Sequence, residues 1–161
     1  MTQKNKVVIL SMIYITGVVF LTLIPFNNSV DYDINYNLTL FDSINNYIKH
    51  MKNFGLVDYN AMKYFPFNLL RFINSIFTVS FKNVLGNIVM FLPFGIFMTY
   101  LIKYKKFISV LVYSMSFSIF IEVMQYFFLT SRRADIDDVL LNTFGAIIGY
   151  VIYIVMKKLK R

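Results

Sequence analysis

The chain has 161 residues, of which 58% are hydrophobic and only 15% charged, with a formal net charge of +8 and no cysteine. A soluble domain carries about a quarter charged residues, and so short a chain cannot hide this much apolar surface inside a water-facing shell. The composition therefore argues against a soluble domain, and it excludes disulfides and thiolate metal sites. The basic residues collect at the ends of apolar runs, the pattern of a membrane protein fixing its orientation rather than of a nucleic-acid binder.

In chain order, Lys4 and Lys6 precede a charge-free run, Val7 to Phe26, long enough to cross the hydrocarbon. It is longer than the apolar part of a secretory signal and has no small-x-small cleavage site after it, so it reads as a signal anchor. Residues 27–83 form one long connection. Its first part is polar and Asn-rich, residues 55–60 read as a turn, and residues 64–82 carry a polar stripe (Asn68, Arg71, Asn74 or Ser75, Thr78, Lys82) at helical spacing. That stripe predicts an amphipathic helix, interfacial or re-entrant, with Pro66 in its first turn. A second span, Val84 to Ile102, contains Asn87, Pro93 and Gly95, and Pro93 should bend it. A third, residues 107–130, passes through Ser109, Ser114, Ser116 and Ser118, small residues that allow close helix contact, and reaches Glu122 and Gln125. A charged hairpin, SRRADIDD, leads to a fourth span, residues 139–156, in which Gly145 and Gly149 offer a flat packing face beside Ala146. The expected fold is all-α: one domain over residues 1–161, a bundle of four transmembrane helices with spans 7–26, 84–102, 107–130 and 139–156.

Lys103, Lys105 and Lys106 sit between spans two and three, two lysines precede span one, and four basic residues follow span four. Counted by Lys and Arg, this places both termini in the cytoplasm, with the long connection and the hairpin outside. Asn87, Glu122, Gln125, Asp135, Asp138 and Asn142 then fall in the same leaflet. At ~1.5 Å per residue Glu122 lies roughly 12 Å below Thr130. Glu122 and Gln125 share one helix face; Asp135, Asp138 and Asn142 share another. If both faces turn inward they line a polar pocket open to the outside.

Glu122 is the only ionisable side chain well inside an apolar run, and an acid there needs a reason. It is either a ligand-binding or proton-handling group, with Glu122 and Asp138 the candidates should the protein be an enzyme, or a structural acid bonded to Asn87, Gln125 or Asn142. Asp135 and Asp137 equally suit a helix N-terminus. The Asp135, Asp137, Asp138 spacing offers oxygen ligands for a divalent cation but lacks the glycine turn and distal glutamate of an EF-hand loop. No cofactor motif is present. His50 lies in the polar connection and reads as a solvated histidine.

The succession NLTLFDSI (37–44), GNIVMFLPFG (86–95), FIEVMQYF (120–127) and RRADIDDVLLNTFGAIIG (132–149) resembles the VanZ-like family of bacterial membrane proteins. The positions carrying the resemblance are Asn37, Phe41, Asn87, Phe91, Pro93, Gly95, Glu122, Gln125, Arg132, Asp135, Asp138, Asn142, Gly145 and Gly149. Leu40 departs from it, standing where that family has proline. The resemblance adds Arg132 to the expected ligand-binding set (Asn87, Glu122, Gln125, Arg132, Asp135, Asp138, Asn142) and gives Pro93, Gly95, Gly145 and Gly149 a structural role. It implies a multi-pass protein of the bacterial cell membrane that contributes to low-level teicoplanin resistance without an altered peptidoglycan precursor. The expected partners are the lipid bilayer and an amphiphilic lipid or glycopeptide ligand, with no nucleic acid; the oligomeric state is open. A membrane-embedded enzyme acting on a lipid or lipid-linked cell-wall precursor, with Glu122 as acid or base, is the alternative. A helix-packing partner of other membrane proteins is a third reading, and four spans without an inverted repeat make a transporter the weakest.

Overall fold

The structure, a computed structural model, describes residues 2–23, 36–102, 107–129 and 133–159. In chain order its elements are α1 (Gln3–Leu23), β1 (Tyr36–Asn37), α2 (Asp42–Phe54), a short 3-10 helix (Tyr59–Tyr64), α3 (Leu69–Ser75), α4 (Val79–Leu101), α5 (Phe107–Phe128), β2 (Ala134–Asp135) and α6 (Ile136–Leu159). Contacts divide the chain into two units, residues 1–39 with 87–161, and residues 40–86.

Helices α1, α4, α5 and α6 are each long and apolar enough to cross a membrane. They are the four expected spans with shifted ends. α1 starts at Gln3, because Lys and Gln are good helix formers that need no burial. α4 starts at Val79, five residues before the charge-free run, and α6 starts at Ile136, before the apolar run begins. Large apolar side chains such as Ile13, Phe20, Ile119, Phe127 and Val151 stand exposed along these helices. Lipid covers such a surface where water would not.

In the larger unit the buried side chains of α1 (Ser11, Val18, Thr22) recur at seven and four residues and those of α5 (Val110, Ser114, Ser118, Ile121, Glu122, Gln125) mostly at three to four, one inward stripe per helix. The core joins all four spans: Val18, Phe91, Phe94, Ile121 and Ala146, with Tyr14, Met90, Met98 and Phe117 packed around them. Phe94 and Phe117 stack with centroids 5.1 Å apart. Pro93 lies inside α4 and withholds an N–H from the Val89 carbonyl. One residue on, the Tyr14 hydroxyl donates to the Met90 carbonyl, so α1 supplies a polar contact beside the interruption.

α4 and α6 meet backbone to backbone. A Cβ on Gly95 would lie 2.0 Å from the Ala146 oxygen; on Gly145, 2.1 Å from the Ile88 oxygen; on Gly149, 2.1 Å from the Leu92 oxygen. With spacings of four on both helices, Gly145 and Gly149 sit over Ile88 and Leu92, and no larger residue fits.

The smaller unit differs from the sequence expectation. The polar stretch read as connection contains α2, with apolar Ile44, Tyr47, Ile48, Met51 and Phe54 at helical spacing. α2 is preceded by Phe41 in the left-handed region (φ 64°) and stopped by Gly55 at φ 78°, whose N–H donates to the Met51 carbonyl at 2.8 Å. Residues 64–82 do not form one amphipathic helix. The stretch holds the end of the 3-10 helix, a turn containing Pro66, the two-turn α3 and the start of α4. Asn68 caps α3 by accepting the Arg71 N–H at 3.0 Å. A bridge between Val57 and Phe77, with the Thr78 N–H on the Leu56 carbonyl at 3.1 Å, closes the unit. His50 is half-buried on α2 rather than solvated, 4.6 Å centroid to centroid from Phe54, at a cavity of about 440 Å³ lined also by Val57, Asp58, Tyr59 and Thr78.

Candidate functional site

Most of the buried polar side chains of the larger unit gather at one end of its helices: the end of α1, the second half of α5 and the start of α6. The chain makes this junction by a two-residue parallel pairing of β1 with β2, Tyr36 opposite Ala134 and Asn37 opposite Asp135. Arg133 reinforces it, its Nε donating to the Tyr36 carbonyl at 3.0 Å, and Tyr36 packs edge-on against Tyr126 of α5.

Asp135 is the N-cap of α6. Its Oδ1 accepts the Asp137 N–H at 2.9 Å, satisfying one of the four donors a helix start leaves free. The N–H of Asp135 itself donates to Glu122 Oε2 at 2.8 Å. In a capping box the second acceptor comes from the same helix three residues on; here α5 provides it from outside. The Asp135 carboxylate also receives the Asn37 amide in long contacts at 3.4 and 3.5 Å. Three residues along α5, Gln125 Nε2 donates to the Thr22 carbonyl at 3.2 Å, near the end of α1. Glu122 and Gln125 thus tie α5 to the start of α6 and the end of α1. One turn back, Ser118 Oγ accepts from Asn142 Nδ2 at 2.8 Å.

The cluster is dry. Asn37, Ser118, Glu122, Gln125, Asp135 and Asn142 are all buried, and Asp137 is 0% exposed. Three buried carboxyls, with the half-buried Asp138, stand at the start of α6, where the helix dipole is positive and negative charge is favoured. The Oδ1 of Asn142 and the Oγ1 of Thr143 are buried without a hydrogen-bond partner among the described residues. Such atoms are costly and mark where a donor from outside would be received.

Of the expected ligand-binding residues, Glu122, Gln125, Asp135 and Asn142 come together here, with Asp138 half-buried in the first turn of α6. Asn87 is half-buried on α4, beside the Ile88 carbonyl that packs on Gly145. Arg132 lies outside the described residues. Among those residues, no three His, Cys, Asp or Glu side chains gather as ligands of one metal ion. Sequence reasoning did not place three members of the cluster. Asn37 arrives by a pairing between residues 98 apart in sequence. Asp137, read as a helix-start charge or a cation ligand beside Asp135 and Asp138, is the most buried acid among the described residues. Ser118 read only as a small residue, although it lies four before Glu122 on the same helix face.

The VanZ/LLP1 family model matches residues 11–157. Over 103 residues the chain is 30% identical to Protein VanZ of Enterococcus faecium, an alignment covering 60% of this chain and 61% of that relative. No solved structure matches.

Proposed function

Because the chain belongs to the VanZ/LLP1 family, we propose that this multi-pass membrane protein contributes to resistance to teicoplanin-type glycopeptides. In this reading the cluster around Glu122 engages an amphiphilic envelope ligand, a lipoglycopeptide or lipid-linked wall component. The observation that carries it is the buried polar end of the bundle, where Asn142 and Thr143 keep acceptor oxygens without partners among the described residues. A ligand N–H or O–H reaching them completes the network, while an acyl chain runs along the exposed apolar helix faces. Glu122, Gln125, Arg132, Asp135 and Asp138 supply the remaining polar contacts, and Asn87 borders the site from α4.

The Lys103, Lys105 and Lys106 loop supports cytoplasmic termini and an extracytoplasmic cluster, the side from which a glycopeptide arrives. The test is susceptibility to teicoplanin in a Gram-positive host lacking the gene and carrying wild type, Glu122→Gln or Asn142→Ala. Wild type should raise the inhibitory concentration and both variants should lose the increase at equal membrane abundance. Wild type without effect on any glycopeptide or lipopeptide overturns the function; variants as protective as wild type overturn the site.

A further inference from the structure

The unit formed by residues 40–86 carries a set of exposed apolar side chains that its own fold does not use. Around α3 these are Met62, Phe65, Phe67, Leu69 and Ile73, with Phe67 93% exposed. The fold holds them outward. Asn68 caps α3, Leu69 and Ile73 share one helix face at i, i+4, and Phe65 is braced against Phe72 at 5.3 Å. Cations stand among them: Arg71 lies 4.4 Å and Lys63 Nζ 5.1 Å from the centre of the Tyr64 ring. The unit contains five Lys or Arg against two Asp.

Two features identify what covers this surface. The unit runs directly into α4, a helix apolar enough to cross a bilayer, so a membrane surface lies at its C-terminal end. Aromatic and aliphatic side chains interspersed with Lys and Arg are the chemistry of the headgroup boundary, where rings enter the acyl edge and cations stay with phosphates. We propose that residues 62–73 dock this unit onto the anionic bilayer surface, with Phe67 and Ile73 entering the acyl boundary and Lys63 and Arg71 held at the lipid phosphates. The inference is independent of the glycopeptide reading.

The protein has no cysteine, so a single nitroxide label reports one position. Full-length protein carrying Phe67→Cys, Ile73→Cys or, as reference on α2, Asn45→Cys is reconstituted in vesicles of phosphatidylcholine with or without phosphatidylglycerol. The labels at 67 and 73 should be reached by oxygen in preference to a nickel chelate, inverting the preference at 45, and the inversion should be stronger with phosphatidylglycerol. Aqueous accessibility at 67 and 73 in both vesicles overturns the proposal. Equal inversion in both overturns the role of anionic headgroups. Dipolar coupling between labels at 67 on two molecules would give the surface to a second copy instead.

Discussion

Substituting Gly145 by alanine tests the packing that brings α4 against α6. The added Cβ would lie 2.1 Å from the Ile88 oxygen and 2.9 Å from the carbon atoms flanking it. These are main-chain atoms inside a helix, so no side chain can rotate away. Ordinary contact begins at 3.4 Å, and the helices must part there by about 1.3 Å, which loosens the neighbouring contacts at Gly149 and Ala146 as well. Overpacking of this kind costs about 1–3 kcal/mol, and the upper end is expected where the obstacle is backbone. The assay is SDS titration of the protein in mixed micelles, followed by the near-ultraviolet circular dichroism of its tyrosines. Gly17→Ala and Gly86→Ala are the controls, because nothing lies within 4 Å of either added Cβ. Both should match or exceed wild type, while Gly145→Ala unfolds at clearly lower SDS. A Gly145→Ala protein as stable as the controls would refute the backbone contact.

Removing the Glu122 carboxylate in Glu122→Ala strands the buried Asp135 N–H and should cost about 1–3 kcal/mol in the same titration. Glu122→Gln keeps an acceptor oxygen and should lose less than half of that. Asp135→Ala removes the N-cap of α6 and should cost about 0.5–2 kcal/mol, with Asp135→Asn close to wild type because asparagine caps as well. Ser118→Ala leaves the Asn142 amide without its acceptor, a loss of about 1–3 kcal/mol that an added Asn142→Leu should partly relieve. A reporter enzyme fused after Arg161 should be active only as a cytoplasmic fusion; an extracytoplasmic signal would invert the assigned topology.

The spans were legible because a charge-free run of about 20 residues has few other uses in a short chain. Their ends were not, because Ser80 and Asn83 extend a helix as readily as a turn and hydropathy does not register an N-cap at Asp135. α2 was missed for the opposite reason. Its Asn-rich composition looked like a loop, yet Ile44, Tyr47 or Ile48, Met51 and Phe54 already carried the helical period. The stripe over residues 64–82 misled because its polar positions belong to different elements: Asn68 is the cap of α3, while Thr78 donates to the Gly55 carbonyl at 3.2 Å. At the site, spacing alone grouped Glu122 with Gln125, since residues three apart share a helix face. The bond from Asp135 to Glu122 and the pairing of Asn37 with Asp135 needed the fold, because each joins separate elements through main-chain groups that any sequence offers.

The proposed function requires the buried polar end of α5 and α6 to receive an amphiphilic ligand. The direct measurement is calorimetric titration of teicoplanin into the full-length protein in lipid nanodiscs, alongside Asn142→Ala and empty discs. Wild type should bind saturably beyond the empty discs, and Asn142→Ala should bind about tenfold more weakly, the loss of roughly one hydrogen bond of 1.4 kcal/mol. Binding to wild type no different from empty discs, or undiminished in Asn142→Ala, would contradict it.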